Sequence, residues 1–325
     1  GSSSAGQSSG IGSAQGRMFT PGAAIQGNRA VSEENTNAPR FNPSASTFVP
    51  SSKNPPPVFD IDNMIRNQNR PPIESLGPES RDRLIFLMNS LVEKNMEEKV
   101  VVLDQVLDSE NTMRWFCEFL VTTRAAQEIN LRDLYISVLT SLKESQKLIE
   151  YTIAECYDHL RRLLKSDRLS EKVHRDRINN TASLLGYLTI ARDKPIRRRD
   201  LDLKNLLIEG YQHGKLIAIL PLSCKILLAA QRSQAYKKGN PWLESLFSLL
   251  REMHKIKELK LNLIFEIEIL YKELGRGIDT IEKTSMLSNV EVLDRSSDYK
   301  TQSVPKDTGD NNKGNMGRSA ANTGA

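Results

Sequence analysis

The chain has 325 residues, with 45 Lys and Arg against 40 Asp and Glu, a formal net charge of +5 and an isoelectric point near 9.0. Because this excess is small, the composition is more typical of solvated helix faces than of a strongly cationic nucleic-acid-binding protein. No apolar run approaches the roughly 20 residues needed to cross a bilayer, and no secretory leader is evident. These features predict a soluble, intracellular protein.

The two ends differ in composition from the middle of the chain. Residues 1–57 are rich in Ser, Gly, Asn, Ala and Pro, and they cannot bury enough apolar surface to offset the entropy lost on ordering. They are therefore predicted to form a disordered arm, followed by an extended lead-in over residues 58–78. By the same argument, residues 276–325 are predicted to be a mostly disordered tail. Residues 79–275 remain as one helical middle domain.

Apolar residues recur at intervals of three and four throughout this middle domain, which is the pattern of amphipathic helices. In chain order, the predicted stripes are Leu84–Leu91, Val100–Leu107, Trp115–Leu120, Leu134–Leu142, Ile149–Leu164, Leu184–Ile190, Leu203–Leu207, Leu216–Leu228, Trp242–Met253 and Leu263–Leu274.

Capping residues and prolines mark several of the predicted helix boundaries. Asn111 or Thr112 is the expected cap of the third helix, and the sixth is expected to begin after Asn179-Asn180-Thr181. Pro221 is expected to kink or delay its helix, because proline lacks a backbone donor. Asn240 is predicted to cap the next helix, Pro241 to be its first residue and Trp242 to anchor it in the core.

About ten helices joined by short polar connectors predict an all-α fold in which helix pairs stack side by side. The expected architecture is a HEAT-like α-solenoid with pairs of about 40 residues. Because the sequence has no fixed period, a compact irregular helical bundle is the alternative.

Residues that could carry chemistry are scattered along the chain. Cys117, Cys156 and Cys224 are far apart, which is typical of buried free thiols in a reducing compartment. Glu266 and Glu268 are two residues apart on a helix and point to different faces. The sequence has no phosphate-binding loop, metal-binding motif or nucleophile elbow, and its four histidines lie on separate segments: His159, His174, His213 and His254. We therefore predict no catalytic activity, no cofactor and no metal.

Two clusters of basic residues could contact RNA or an acidic protein. One contains Arg161, Arg162, Lys165 and Arg168. The other contains Arg192, Lys194, Arg197, Arg198 and Arg199. Since no aromatic residues are interleaved for base stacking, direct RNA binding by a helical or translation-initiation-type adaptor is the alternative function.

Several strings, taken in order, resemble the initiation-factor-4G-type middle domain of the large NOT scaffold subunit of the CCR-NOT deadenylase complex. They are Phe59-Asp60-Ile61-Asp62-Asn63-Met64, Pro72-Ile73-Glu74, the runs 188–196 and 200–211, Asn240-Pro241-Trp242, and the run 259–270. The resemblance implies a HEAT-like fold of about five antiparallel helix pairs that docks two partners. One is a Caf-type deadenylase, and the other is a DEAD-box RNA helicase of the decapping-activator class, whose ATPase the domain stimulates.

The resemblance also implies that a helicase-facing connector lies at residues 124–135. Arg124, Asn130 and Arg132 can offer hydrogen-bond donors there, whereas Leu134 and Tyr135 suit the core. Relatives usually carry Pro at the position of Ile129 and Phe at that of Leu131. No residues for the deadenylase surface follow from the sequence.

A segment of the arm resembles the linear motif that binds the C-terminal domain of poly(A)-binding protein. The matching residues are Phe41, Asn42, Ala45, Phe48 and Pro50. Phe48 has no core of its own to join, so it could fill a partner's pocket.

Together these features predict a non-catalytic scaffold that acts in mRNA deadenylation, decay and translational repression. The expected partners are the deadenylase, the helicase and poly(A)-binding protein, with RNA bound mainly indirectly. The expected location is the cytoplasm, including processing bodies, with the nucleus as a second site.

Overall fold

The computed structural model describes residues 58–67, 69–293 and 299–300. The arm and its motif at residues 41–50 lie outside these residues. The helices of the described part are α1 (Ile61–Met64), α2 (Pro78–Asn89), α3 (Met96–Val106), α4 (Glu110–Phe119), α5 (Arg132–Ser141), α6 (Ser145–Leu164), α7 (Lys172–Leu188), α8 (Leu203–Gln212), α9 (Leu216–Leu228), α10 (Pro241–His254) and α11 (Leu261–Glu273).

Within the described part of the chain, four helix pairs pack on each other: α2 on α3, α6 on α7, α8 on α9 and α10 on α11. Helices α4 and α5 each pack on α6, and contacts of α3 with α5, α7 with α9 and α9 with α11 join the pairs. β-Structure in the described residues is limited to two isolated bridges, Ile65 with Leu201 and Leu259 with Lys300. The predicted all-α, solenoid-like fold is confirmed.

Helix starts follow the capping chemistry of the sequence, with one correction. Asn240 accepts a hydrogen bond from the backbone N–H of Leu243 at 3.1 Å, and Pro241 is the first residue of α10, as predicted. The cap of α4 is Ser109, whose hydroxyl accepts from the N–H of Thr112 at 3.2 Å. The prediction of Asn111 or Thr112 was wrong because both lie inside the first turn.

The start of α7 was predicted wrongly, and of the two effects expected of Pro221, a kink or a delay of its helix, the delay does not occur. Helix α7 begins at Lys172, so Asn179 to Thr181 lie within it. The Asn180 amide donates to the carbonyl of Ala126, and the Thr181 hydroxyl donates to that of Arg177, so both polar groups are satisfied inside the helix. Pro221 does not delay α9, which runs through it from Leu216 to Leu228.

The lead-in at residues 58–78 is not simply extended. It contains α1, whose Ile61 and Met64 are buried, and Ile65 beside it is also buried. The carbonyl of Met64 accepts from the N–H of Asp202 at 3.0 Å. Farther on, the Arg70 guanidinium bonds to Glu155 at 2.8 Å and to Asp158 at 2.6 Å on α6. The lead-in is therefore part of the folded domain.

The first part of the predicted tail is also folded. Ile281 and Leu287 are buried, and the Glu252 carboxylate accepts from the N–H groups of Met286 and Leu287, each at 2.9 Å. Leu293 donates its N–H to the Gln212 carbonyl at 2.9 Å. Composition alone did not predict that this segment is folded, because only a few buried apolar side chains and the hydrogen bonds to Glu252 fix its position.

The centre of the domain is the contact between α7 and α9. Every residue of α9 except Lys225 and Leu228 is buried. A Cβ built on Gly186 of α7 would lie 2.7 Å from the carbonyl oxygen and 3.0 Å from the Cα of Ile226 on α9. The two backbones can approach this closely only because residue 186 has no side chain.

We therefore expect Gly186→Ala to destabilise the domain, although alanine favours helix by about 0.5–1 kcal/mol. The added methyl group must push the α9 backbone away, at a net cost of about 1–3 kcal/mol. Gly210→Ala is the matched control, because the three atoms nearest to its added Cβ all belong to the Ile219 side chain, with the mobile Cδ1 nearest at 2.7 Å. Urea unfolding measures both variants. Equal losses of stability, or none for Gly186→Ala, would contradict the packing described.

Candidate functional site

Helix α11 carries large apolar side chains on a face that does not enter the core. Leu261, Phe265 and Ile269 lie at i, i+4 and i+8, and they are 66%, 53% and 50% exposed. The opposite face is buried through Leu263, Ile267, Leu270 and Tyr271. A helix that is apolar on two faces, one of them open to solvent, is typical of a protein-binding site. We call Leu261, Phe265 and Ile269 the α11 stripe.

The neighbouring contacts hold α11 in place. The Tyr271 hydroxyl donates to the carbonyl of Phe247 on α10, and the two rings meet edge to face with centroids 4.8 Å apart. Lys225 on α9 pairs with Glu266 on α11 at 2.9 Å. Because the buried face is fixed at several points, the α11 stripe is presented in one orientation, which lowers the entropic cost of binding.

The sequence prediction did not include the α11 stripe. Its members were visible as apolar residues between those of the buried stripe, and this excess is the signal that could have identified it. Periodicity alone does not show which of two apolar faces enters the core.

The connector at residues 124–135 brings the three predicted site residues close together but uses them differently. The Arg124 guanidinium bonds to the Asn89 side chain at 3.0 Å and pairs with Glu128 at 3.2 Å. Arg132 donates to the hydroxyl of Ser183 at 2.8 Å, and its guanidinium carbon lies 3.7 Å from the centre of the Tyr187 ring. Both arginines therefore cross-link the connector to the domain.

Asn130 is exposed at the tip of the connector, next to Ile129, which is 41% exposed. Leu134 and Tyr135 are buried, as predicted for core residues. Burial, together with the bond from its hydroxyl to Glu128, raises the pKa of Tyr135 to about 12. Ile129 and Asn130, which form the tip of the connector, are thus accessible to a partner, as are Gln127 and Asp133.

The first basic cluster is neutralised by carboxylates. Arg161 and Lys165 both pair with Asp62, at 3.1 and 2.5 Å. Arg162 pairs with Glu155 at 2.7 Å, and Arg168 with Glu171 at 2.6 Å. Arg161 and Lys165 join the end of α6 to the lead-in, whereas Arg162 and Arg168 pair with carboxylates nearby in the chain. Because all four cations already have partners, they are poor candidates for phosphate contacts.

The second basic cluster is only partly neutralised. Arg198 pairs with Asp202 at 2.6 Å, and Arg199 lies 3.9 Å from a carboxylate oxygen of Asp200. Within the described residues, Arg192, Lys194 and Arg197 have no carboxylate within 4.0 Å.

Titratable groups of the described residues do not converge on a reactive centre. No group of three His, Cys, Asp or Glu side chains there is placed to hold a metal ion. The three cysteines are free and buried, as predicted, and burial raises the pKa of the Cys117 thiol to about 12. Burial lowers the pKa of His159 to about 4. In the same residues, no helix is long and apolar enough to span a membrane.

A family model described as the CCR4-NOT transcription complex subunit 1 CAF1-binding domain matches residues 72–297. The CCR4-NOT transcription complex subunit let-711 of Caenorhabditis elegans is 31% identical over 246 residues, covering 73% of this chain and 9% of the relative. General negative regulator of transcription subunit 1 of Schizosaccharomyces pombe is 34% identical over 213 residues, covering 64% of this chain and 10% of the relative. The protein of the same name in Saccharomyces cerevisiae is 29% identical over 216 residues, covering 66% of this chain and 10% of the relative. The matched region thus spans about a tenth of each relative.

The fold is that of an all-α, solenoid-like domain with an exposed apolar stripe on α11. Since the family match covers more than half of the chain, the chain belongs to the CAF1-binding domain family of CCR4-NOT transcription complex subunit 1. The resemblance seen in the sequence is therefore confirmed. This family is described by binding rather than by a reaction, which confirms the prediction that the chain is not an enzyme.

Proposed function

We propose that this domain is a scaffold module that docks a CAF1-type deadenylase through the α11 stripe, in mRNA deadenylation, decay and translational repression. The observation that carries the proposal is the α11 stripe itself, in a chain whose family is described as CAF1-binding. The cytoplasm, including processing bodies, and the nucleus are the proposed locations, which fluorescence microscopy of the tagged protein would test.

The chemistry of the α11 stripe fits an interface of this kind. Three large apolar side chains one helical turn apart can form the dry centre of a contact, where most binding energy is concentrated. Lys225 and Glu266 beside them are already paired with each other, so covering them leaves no unpaired charge. The face is fixed before binding, so little ordering is needed.

We expect the double variant Phe265→Ala and Ile269→Ala to weaken deadenylase binding by about 2–4 kcal/mol, roughly 30-fold to 1,000-fold in Kd. Both side chains are about half exposed, so the melting temperature should change little. Isothermal titration calorimetry with purified CAF1-type deadenylase measures the change in Kd.

Phe86→Ala is the control for the loss of an exposed aromatic ring, since Phe86 on α2 is 66% exposed and lies outside the α11 stripe. It should bind with unchanged affinity. Loss of binding in Phe86→Ala together with full binding by the double variant would place the interface on α2 and refute the proposal.

We further propose that the tip of the connector, Ile129 and Asn130, docks a DEAD-box RNA helicase and that docking stimulates its ATPase. The support is geometric: the tip is exposed, and Arg124 and Arg132 anchor the chain on either side of it. Arg124 and Arg132 would then act by holding the tip in place rather than by contacting the helicase directly.

Asn130→Ala should weaken helicase binding without changing the stability of the domain, because its side chain is exposed. Arg132→Ala should lower the free energy of unfolding by about 2 kcal/mol, since it removes the bond to Ser183 and the stacking on Tyr187. Pull-down with purified helicase and thermal melting separate the two effects. Normal helicase binding by Asn130→Ala would contradict the role given to the tip.

We also propose that the arm recruits poly(A)-binding protein through Phe41, Asn42, Ala45, Phe48 and Pro50. These residues lie outside the described part of the chain, so the proposal rests on the motif alone.

A peptide spanning residues 41–50 should bind the C-terminal domain of poly(A)-binding protein, and its Phe48→Ala version should bind at least tenfold more weakly, because it lacks the aromatic anchor. Fluorescence anisotropy compares them. Equally weak binding by the two peptides would contradict the proposal that the arm recruits poly(A)-binding protein.

A further inference from the structure

Within the described residues, four exposed cations without an acidic partner lie on two connectors that contact each other. Arg192 and Arg197 lie between α7 and α8, and Lys237 and Lys238 lie between α9 and α10. Among the described residues, none of the four has a carboxylate within 4.0 Å, unlike the cations of the first basic cluster. We call these four residues the unpaired basic patch.

The two connectors that carry the patch are joined by Asp193. This residue has a left-handed φ of 57°, and its Oδ1 accepts from the Ser233 hydroxyl at 2.6 Å and from the N–H groups of Gln234 and Ala235 at 2.9 and 3.0 Å. These bonds bring the segment that follows α7 against the segment that follows α9. The Asp193 carboxylate is therefore occupied by hydrogen bonds rather than by the patch cations.

The position of Lys237 relative to Asp193 shows that the two halves of the patch are close. The pKa of Asp193 is lowered by its bonds to the Ala235 N–H, to Ser233 and to Gln234, and also by the nearby charge of Lys237. Lys194, half-buried and without a carboxylate partner, adds positive charge beside Arg192. The two halves of the patch therefore lie on connectors that Asp193 holds against each other.

We propose that the unpaired basic patch binds the phosphate backbone of single-stranded RNA. Exposed cations that are not already neutralised can release counterions when phosphates bind, and this release drives association. The proposal goes beyond the docking of protein partners described above, because it gives the domain a direct contact with RNA.

The surroundings of the patch favour RNA over an acidic protein segment. The large apolar side chains that are exposed in the described residues lie elsewhere, with none between residues 174 and 260. A protein partner would therefore find no large exposed apolar side chain on these two connectors, and lysines are depleted at the centres of protein interfaces. Tyr236 is half-buried and packs edge-on against Trp242, with centroids 5.6 Å apart, so it is not free to stack on bases. Binding should therefore be independent of sequence.

The test uses the full chain and a fluorescein-labelled oligouridine of about 20 nucleotides, measured by fluorescence anisotropy at 50 and 200 mM salt. Four contacts to single-stranded RNA predict a slope of about −2.8 in log K against log salt, which is a roughly 50-fold loss of affinity over this range. The patch variant carries Arg192→Gln, Arg197→Gln, Lys237→Gln and Lys238→Gln. It should lose at least tenfold in affinity at 50 mM salt, and most of the slope.

The matched control removes the same charge from cations that already have partners: Arg81→Gln, Lys147→Gln, Arg168→Gln and Lys172→Gln. It should keep its RNA affinity within about twofold. Equal losses in both variants would show an effect of net charge alone, and tighter binding of polyglutamate than of RNA would identify an acidic protein ligand. Either result, or no RNA binding by the unmodified chain, overturns the proposal. Deadenylase binding should be unchanged in the patch variant, so this outcome is separate from that of the α11 test.

Discussion

The close approach of α7 and α9 is the constraint on which the rest of the structure depends. Gly186 brings the α7 backbone against Ile226, and α9 is buried along almost its whole length. Helix α9 in turn supports α8 and α11. Because α11 can turn only one of its two apolar faces toward α9 and α10, the other must remain in solvent. The α11 stripe is thus a geometric consequence of how the central helices pack.

The basic residues discussed above fall into two groups, those that are paired with a carboxylate and those that are not. The Arg70 guanidinium, which is partly buried, joins Glu155 and Asp158, and Arg162 completes the pairing of Glu155. Removal of one partner from such a network leaves a buried charge, which costs several kcal/mol. These cations therefore belong to the fold. The unpaired basic patch has no such partners, and its charges remain available to a ligand.

The sequence predicted the helical parts well because each buried stripe has the helical period and several caps are explicit, as at Asn240 and Pro241. It failed where a local rule was overridden by distant contacts. Asn180 resembles a loop residue, but its amide bonds to Ala126 in another part of the chain. Ile281 and Leu287 are too few to suggest a core, but Glu252 holds the backbone that positions them.

The candidate site was harder to predict for a related reason. The resemblance directed attention to Arg124 and Arg132 as hydrogen-bond donors for a partner. In the structure, Arg124 instead bonds to Asn89 and Glu128, and Arg132 bonds to Ser183. Whether a donor is free depends on neighbours that are distant in the chain. The same limit applies to the α11 stripe, since exposure of one apolar face is decided by the packing of the other.

Hydrogen–deuterium exchange of the domain, free and bound to a CAF1-type deadenylase, tests the account most directly. If a rigid core presents a preformed interface, the amides of α7 and α9 should exchange slowest in both states. Binding should slow exchange in α11 and leave residues 129–132 and 192–199 unchanged. Rapid exchange in α9 of the free domain, or slower exchange on binding at other segments but not at α11, would contradict this account.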